Sequence, residues 1–118
     1  GVVVGDNSEV GGGCSTMGTL SGVNDIKVSV GINCLLGANA GLGILLGDNC
    51  TVVAGLYITS GTKIQFVEAD GITIIIKTGL ERAGSANLVF LRNSLNGMVI
   101  AKPNSKSIEL NTQLHKND

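Results

Sequence analysis

At 118 residues, with 43 % hydrophobic and 14 % charged side chains but only two Phe, one Tyr and no Trp, the chain reads as one domain with an interior of small and aliphatic groups. Eighteen glycines and one proline fall short of a low-complexity composition, and a net charge of −1 leaves no basic field for nucleic acid. A compact unit of this size is marginal alone, so self-association is expected.

From the first residues onward an aliphatic side chain recurs every six positions, at Val4 and Val10, then Val30 and Leu36, then Leu46, Val52, Ile58 and Ile64. Neither a helix nor an ordinary strand has that period. Glycine often follows (Gly5, Gly11, Gly31, Gly37, Gly47), and then come turn formers such as Asp6-Asn7, Gly12-Gly13, Ala38-Asn39 and Asp48-Asn49. Four places after each aliphatic residue the side chain is nearly always small, and Cys14, Cys34 and Cys50 all fall at that phase. A fixed position that admits only small groups marks a tight interior corner, so the cysteines are read as packing residues.

Two-residue strands with a turn every six residues cannot build an ordinary sheet, but three such units close one triangular coil of a parallel β-helix of about 18 residues. Hexapeptide prisms of this type wind left-handed, although the period alone does not set the hand. The ruler slips twice. Between Val10 and Val30 lie 20 residues, and Met17 to Asp25 read as a loop leaving the prism, with the whole excursion spanning 17–29. Leu36 to Leu46 is ten residues, so Gly41-Leu42-Gly43 either shortens a corner or bulges.

After Ile64 the rhythm stops. Ile72 to Lys77 and Asn87 to Arg92 read as strands, and Gly97 to Lys102 pairs with the latter across Asn93–Asn96. The expected organisation is all-β, with a left-handed parallel β-helix of hexapeptide repeats over 1–64 and a small C-terminal β cap and tail over 65–118.

Several chemistries are excluded. Val28 to Gly47 is free of charge but carries five glycines and two asparagines in a strand-forming period, so no membrane span is expected. Val2-Val3-Val4 lacks a basic flank and reads as no secretory leader. Three cysteines without a C-x-x-C pair suggest neither a disulfide framework nor a thiol metal site, and point to a reducing cytoplasm. The sole histidine, His115, cannot supply a three-histidine zinc site. Gly11-Gly12-Gly13 lacks the Lys-Ser/Thr of a phosphate loop, and Gly41-x-Gly43-x-x-x-Gly47 misses the dinucleotide spacing by one residue. Charge is uneven: residues 1–62 sum to −3 and 63–118 to +2, so the second half can meet an anionic ligand.

Particular segments carry a more specific likeness. GGGCSTMGTLSG (11–22), LLGANAGLGI (35–44), SANLVFLRNSLNG (85–97) and the LNTQLHKND tail resemble the tetrahydrodipicolinate N-succinyltransferases of the longer type described from actinobacteria and some other bacteria. The likeness covers most of the chain and breaks over about Gln65 to Ala83. It implies a homotrimer of prisms that transfers succinyl from succinyl-CoA to the amine of tetrahydrodipicolinate in diaminopimelate and lysine biosynthesis. The acyl-CoA would lie in the groove between neighbouring prisms.

By the same resemblance the Gly12 amide and Ser15 hydroxyl sit beside the acyl group, and Ala38, Ala54 and Gly61 line the pantetheine path. Lys77 and Leu91-Arg92-Asn93-Ser94 would hold the nucleotide end. The family's catalytic glutamate and its proposed metal-binding acids belong to segments ahead of the equivalent of Gly1. No catalytic or metal residue is therefore assigned here, and Glu9 is not promoted to the role. The other readings are a hexapeptide acyltransferase with a different acyl donor or amine, and a non-catalytic trimerising prism.

Overall fold

The computed structural model describes residues 3–16 and 28–104. Eight two-residue strands come first: β1 (Val3–Val4), β2 (Glu9–Val10), β3 (Ser15–Thr16), β4 (Ser29–Val30), β5 (Leu35–Leu36), β6 (Gly41–Leu42), β7 (Thr51–Val52) and β8 (Tyr57–Ile58). Four longer ones follow, β9 (Lys63–Val67), β10 (Ile74–Thr78), β11 (Leu88–Arg92) and β12 (Val99–Pro103). The short strands stack in parallel as three walls. Val4, Val30 and Leu46 align on the first, Val10, Leu36 and Val52 on the second, and Thr16, Leu42 and Ile58 on the third.

These registers decide the two slips. Val10 pairs with Leu36, 26 residues on, while Leu36 pairs with Val52, only 16 on. The second coil is therefore shortened at its last corner, where Leu42 and Leu46 are four residues apart and Ile44, 2 % exposed, fills the space. The excursion expected over 17–29 falls for residues 17–27 outside the described part, and β4 already begins at Ser29.

The hexad rule is a set of contacts between coils. From Val30 to Ile64 the six aliphatic positions are buried, and they form the core with Phe66, Phe90, Val99 and Ala101. Val4 and Val10, on the lowest coil, are 45 % and 49 % exposed. The corners of two of the three edges turn on a residue in the left-handed region. Asn7, Asn33, Asn49 and Asn87 do this along the first edge, and Gly13, Asn39 and Gly55 along the second. Corners then bond vertically: Asn33 N to Asp6 O (3.0 Å), Asn49 N to Ile32 O (2.9 Å) and Asn87 N to Asp48 O (2.8 Å).

The glycine after the aliphatic residue answers to the coil spacing, not to backbone angle. A Cβ on Gly37 would stand 2.5 Å from Ala54 N, and one on Gly11 would stand 2.8 Å from Ala38 N. The small side chain four places on has a polar task as well. Ser8 Oγ donates to Gly31 O (2.7 Å), Cys14 Sγ to Gly37 O (3.0 Å), Cys34 Sγ to Gly47 O (3.1 Å) and Cys50 Sγ to Ser85 O (3.3 Å). Each donor caps a carbonyl in the coil above, and all three thiols are free. Burial, the dominant cause, pushes the Cys50 thiol up to about 11.

The C-terminal strands form the expected β cap and share one core and one sheet with the prism. Their sheet runs β10-β9-β12-β11-β7-β5-β2, so two hairpins continue the second wall beyond the last full coil. Val89 and Phe90 pair in parallel with Thr51 and Val52. β9 was not expected as a strand; its alternation, Ile64 and Phe66 buried between exposed Lys63 and half-buried Gln65, takes over where the six-residue period ends. Phe66 and Phe90 meet edge to face at 6.4 Å and close the core there.

Two outcomes follow. Gly37→Ala should lower stability by about 1–3 kcal/mol in chemical denaturation because neighbouring backbone must move, whereas Gly12→Ala, whose Cβ would meet nothing within 4 Å, should leave it unchanged. The raised Cys50 value means that the unfolded state loses its thiol proton first, so this contribution to stability is intact below pH 9 and is lost as pH rises toward about 11. Alkylation of the native protein at pH 8, read by mass spectrometry, should accordingly spare Cys50 until denaturant is added.

Candidate functional site

Two residues past each aligned aliphatic residue of the second wall, the chain reaches the second edge of the prism. Gly12, Ala38, Ala54 and Arg92 occupy that place in four successive layers, because Val10, Leu36, Val52 and Phe90 are in register. Asn39 N donates to Gly12 O and Gly55 N to Ala38 O, both at 2.9 Å, and these bonds fix the column. Gly12, Ala38 and Ala54 are exposed and present at most a methyl group. At about 4.8 Å per layer the column is about 14 Å long and ends on a guanidinium.

A second row continues the line across the long strands. Arg92 pairs with Val99, Val99 with Ile64, and Ile64 with Lys77, so Lys77 lies three strands from Arg92 in one cross-strand row. Arg92 Nη1 donates to Gly97 O at 2.6 Å and, among the described residues, meets no carboxylate. Lys77 Nζ lies 3.8 Å from Glu81 Oε2 in an exposed pair that contributes little, so its charge remains available. Leu91 lies on the outer face of the second wall beside Arg92. The turn after them is held by Asn93 N to Met98 O (2.7 Å) and by Leu95 N to Asn93 Oδ1 (2.9 Å), with Ser94 exposed.

Gly61 and Ser15 flank this line. Gly61 lies in the turn from the third wall into β9, two residues before Lys63, which pairs with Thr78 beside Lys77. Ser15 opens β3 and, in register with Gly41 and Tyr57, faces outward on the third wall. A Cβ on Gly12 or Gly61 would meet no described atom within 4 Å, and neither has a positive φ. Nothing within the described residues demands glycine at those two places, in contrast to Gly11 and Gly37.

Some groups near the edge escaped the sequence reading. Tyr57, 49 % exposed, lays its ring over Gly41 between the second edge and the third wall; its outward hexad phase was the available signal. Lys63 adds a third cation at the Lys77 end. On the outer face of the second wall, Val53, Leu91, Ile100, Gln65 and Ile76 form one cross-strand row that is mostly apolar. A crevice of about 290 Å³ beside Phe66 and Pro103 lies at the opposite ends of these strands. Its cation, Arg82, already donates to Glu68 at 3.2 Å and stacks 5.2 Å from the Phe66 ring centre. Among the described residues no three His, Cys, Asp or Glu gather to hold a metal, and no helix is long and apolar enough to cross a membrane.

Known proteins share this architecture. A family described as the hexapeptide repeat of succinyl-transferase matches residues 27–60. The 2,3,4,5-tetrahydropyridine-2,6-dicarboxylate N-succinyltransferase of Vibrio cholerae is 52 % identical over 118 residues, all of this chain and 34 % of that protein. Its Pseudomonas putida counterpart is 53 % identical over 115 residues, 98 % of this chain and 33 % of that one. The crystal structure of a Campylobacter jejuni protein described as a 2,3,4,5-tetrahydropyridine-2-carboxylate N-succinyltransferase superposes with a TM-score of 0.79 at 41 % identity, over 89 % of this chain and 30 % of that one. The hexad prism is thereby a left-handed parallel β-helix, and the chain spans about one-third of the length of the curated relatives it matches. By sequence along its whole length and by fold, the chain is similar to about one third of the length of the tetrahydrodipicolinate N-succinyltransferases.

Proposed function

We propose that this chain forms the acyl-CoA-binding part of an enzyme that transfers succinyl from succinyl-CoA to the amine of tetrahydrodipicolinate. The observation that carries the reading is the column Gly12, Ala38, Ala54, Arg92. It is a smooth edge about as long as an extended pantetheine arm, and it runs into cations where the phosphates would lie. The small residues let a thin chain approach the backbone. Arg92, Lys77 and the 91–94 turn take the nucleotide end, and Gly61 borders it. The Gly12 amide and Ser15 hydroxyl stand at the other end.

The chemistry assigned to that end is direct attack of the substrate amine on the thioester carbonyl. A C–N bond forms and the C–S bond breaks, with CoA leaving as a thiolate. The Gly12 amide and Ser15 hydroxyl donate to the oxygen as negative charge develops, and both are positioned before reaction by the coil geometry. The carboxylate that takes the amine proton belongs, by resemblance, to a segment ahead of Gly1. The three free thiols play no part in this scheme and suit a reducing cytoplasm.

A homotrimer gives this edge its second side. The outer second wall presents Val53, Leu91 and Ile100 half-buried and Leu35 36 % exposed, an apolar strip bordering the column. A neighbouring prism packed on that strip would cover it and leave the thioester arm in the groove between two copies.

Removing the guanidinium with Arg92→Ala should weaken succinyl-CoA binding about 10- to 100-fold by calorimetry, matching about 1.5–3 kcal/mol for a charge-assisted contact. An unchanged dissociation constant would place the nucleotide elsewhere. Ala54→Leu should weaken binding at least as much while leaving the melting temperature unaltered, since Ala54 is exposed. Competition by acetyl-CoA as effective as by succinyl-CoA would favour a different acyl group.

A further inference from the structure

At one end of the seven-stranded sheet, β10 pairs on one side only among the described residues. Its exposed face is aliphatic, with Ile72, Ile74 and Ile76 at 83 %, 56 % and 55 % exposure, and no charge occurs from Gly71 to Ile76. Glu68 N donates to Thr73 O (2.8 Å) and Gly79 N to Thr62 O (2.9 Å). In the observed antiparallel register the amides of residues 75 and 77 therefore face β9, that of Thr73 donates to Asp70 Oδ1 (2.8 Å), and those of 74, 76 and 78 face outward.

Carboxylates close both ends of this free edge. Ile72 N donates to Asp70 Oδ1 (2.8 Å), and Thr78 N donates to Glu81 Oε1 (3.0 Å). The outward donors left between them are those of Ile74 and Ile76. An uncapped, uncharged, apolar edge of this kind is a template for another strand.

We propose that this edge pairs antiparallel with the β10 of a second copy of the chain, Ile74 lying opposite the partner's Ile76 and Ile75 lying on the two-fold axis. The argument for a second copy is that the strand complements its own two-fold image. In this register each Ile74 N–H meets the partner's Ile76 C=O and each Ile76 N–H meets the partner's Ile74 C=O, so every outward donor is used. Sliding to oppose Ile74 with itself would direct the Ile76 carbonyl to an Ile72 amide that Asp70 already holds. The isoleucines pair on the outer face. Lys77 falls opposite the partner's Thr73, whose hydroxyl donates to an Asp70 carboxylate at 2.6 Å in each copy, so cation and anion meet at both ends. The interface is small, so it adds to assembly where other contacts already multiply copies. Its main-chain pairing stands independently of the ligand reading, which shares only Lys77 with it.

The test is sedimentation velocity on the full protein with Ile74→Lys/Ile76→Lys, with melting temperature as the control for folding. The wild type should sediment at no less than twice the mass of this variant. Pairing Ile74→Lys with Ile76→Glu should restore the larger particle, because the proposed register sets each introduced cation against an introduced anion. Equal masses for the wild type and the double-lysine variant would overturn the proposal, and failure of the mixed-charge variant to recover would overturn its register. Should the lysines prevent folding, Ile75→Cys decides the matter: across a non-hydrogen-bonded pair, Cα atoms about 4.5 Å apart permit a disulfide. Oxidation should link two copies through Ile75→Cys and not through Thr73→Cys, and no link at either would overturn the pairing.

Discussion

The spacing of hydrogen-bonded parallel strands, about 4.8 Å, governs this molecule. Because every strand of the prism is two residues long, the turns as well as the walls must stack at that distance. Gly5, Gly11, Gly31, Gly37 and Gly47 lie where a methyl group would collide with the coil above. The same restriction explains the thiols. A cysteine is small enough for an interior corner, apolar enough for the core, and still able to donate to the carbonyl that the next coil turns inward. Side-chain size and the pairing of buried polar groups are thus met by one residue at one phase.

The candidate edge is a by-product of that stacking. Once the aliphatic residues of the second wall are in register, the residues two places later must be too, and a line of minimal side chains appears without any one of them being packed. Gly12 and Gly61 stand apart from the structural glycines because nothing described here fills the space beside them. Their small size is a property of the outer surface. It answers to no contact among the described residues.

The prism was legible in the residues because its rule is local, six positions long and repeated. Val30, Leu36, Leu46, Val52, Ile58 and Ile64 all take the buried place that their spacing implies. The slip at Gly41-Leu42-Gly43 left two readings open, and register selects the shortened corner. What could not be read was long-range order. Thirty-eight residues separate Val52 from its partner Phe90, and a whole hairpin intervenes, so nothing local shows that Arg92 tops the column of Ala54. β9 was missed for a related reason: at Ile64 the period changes from six to two within a single strand. The terminal strands were expected one or two residues early, and nothing local shows that the cap joins the sheet of the second wall.

The unequal coil lengths carry a consequence for how this sequence can drift. In most proteins compensating changes are sought within a helical turn or across a hairpin, but here a residue's mechanical neighbour is 26 positions away below the second coil and 16 above it. An enlarged group at Gly37 has to be absorbed at Ala54, not at Leu36 or Ala38. Correlated substitution between homologues should therefore appear at two sharp offsets, 26 and 16.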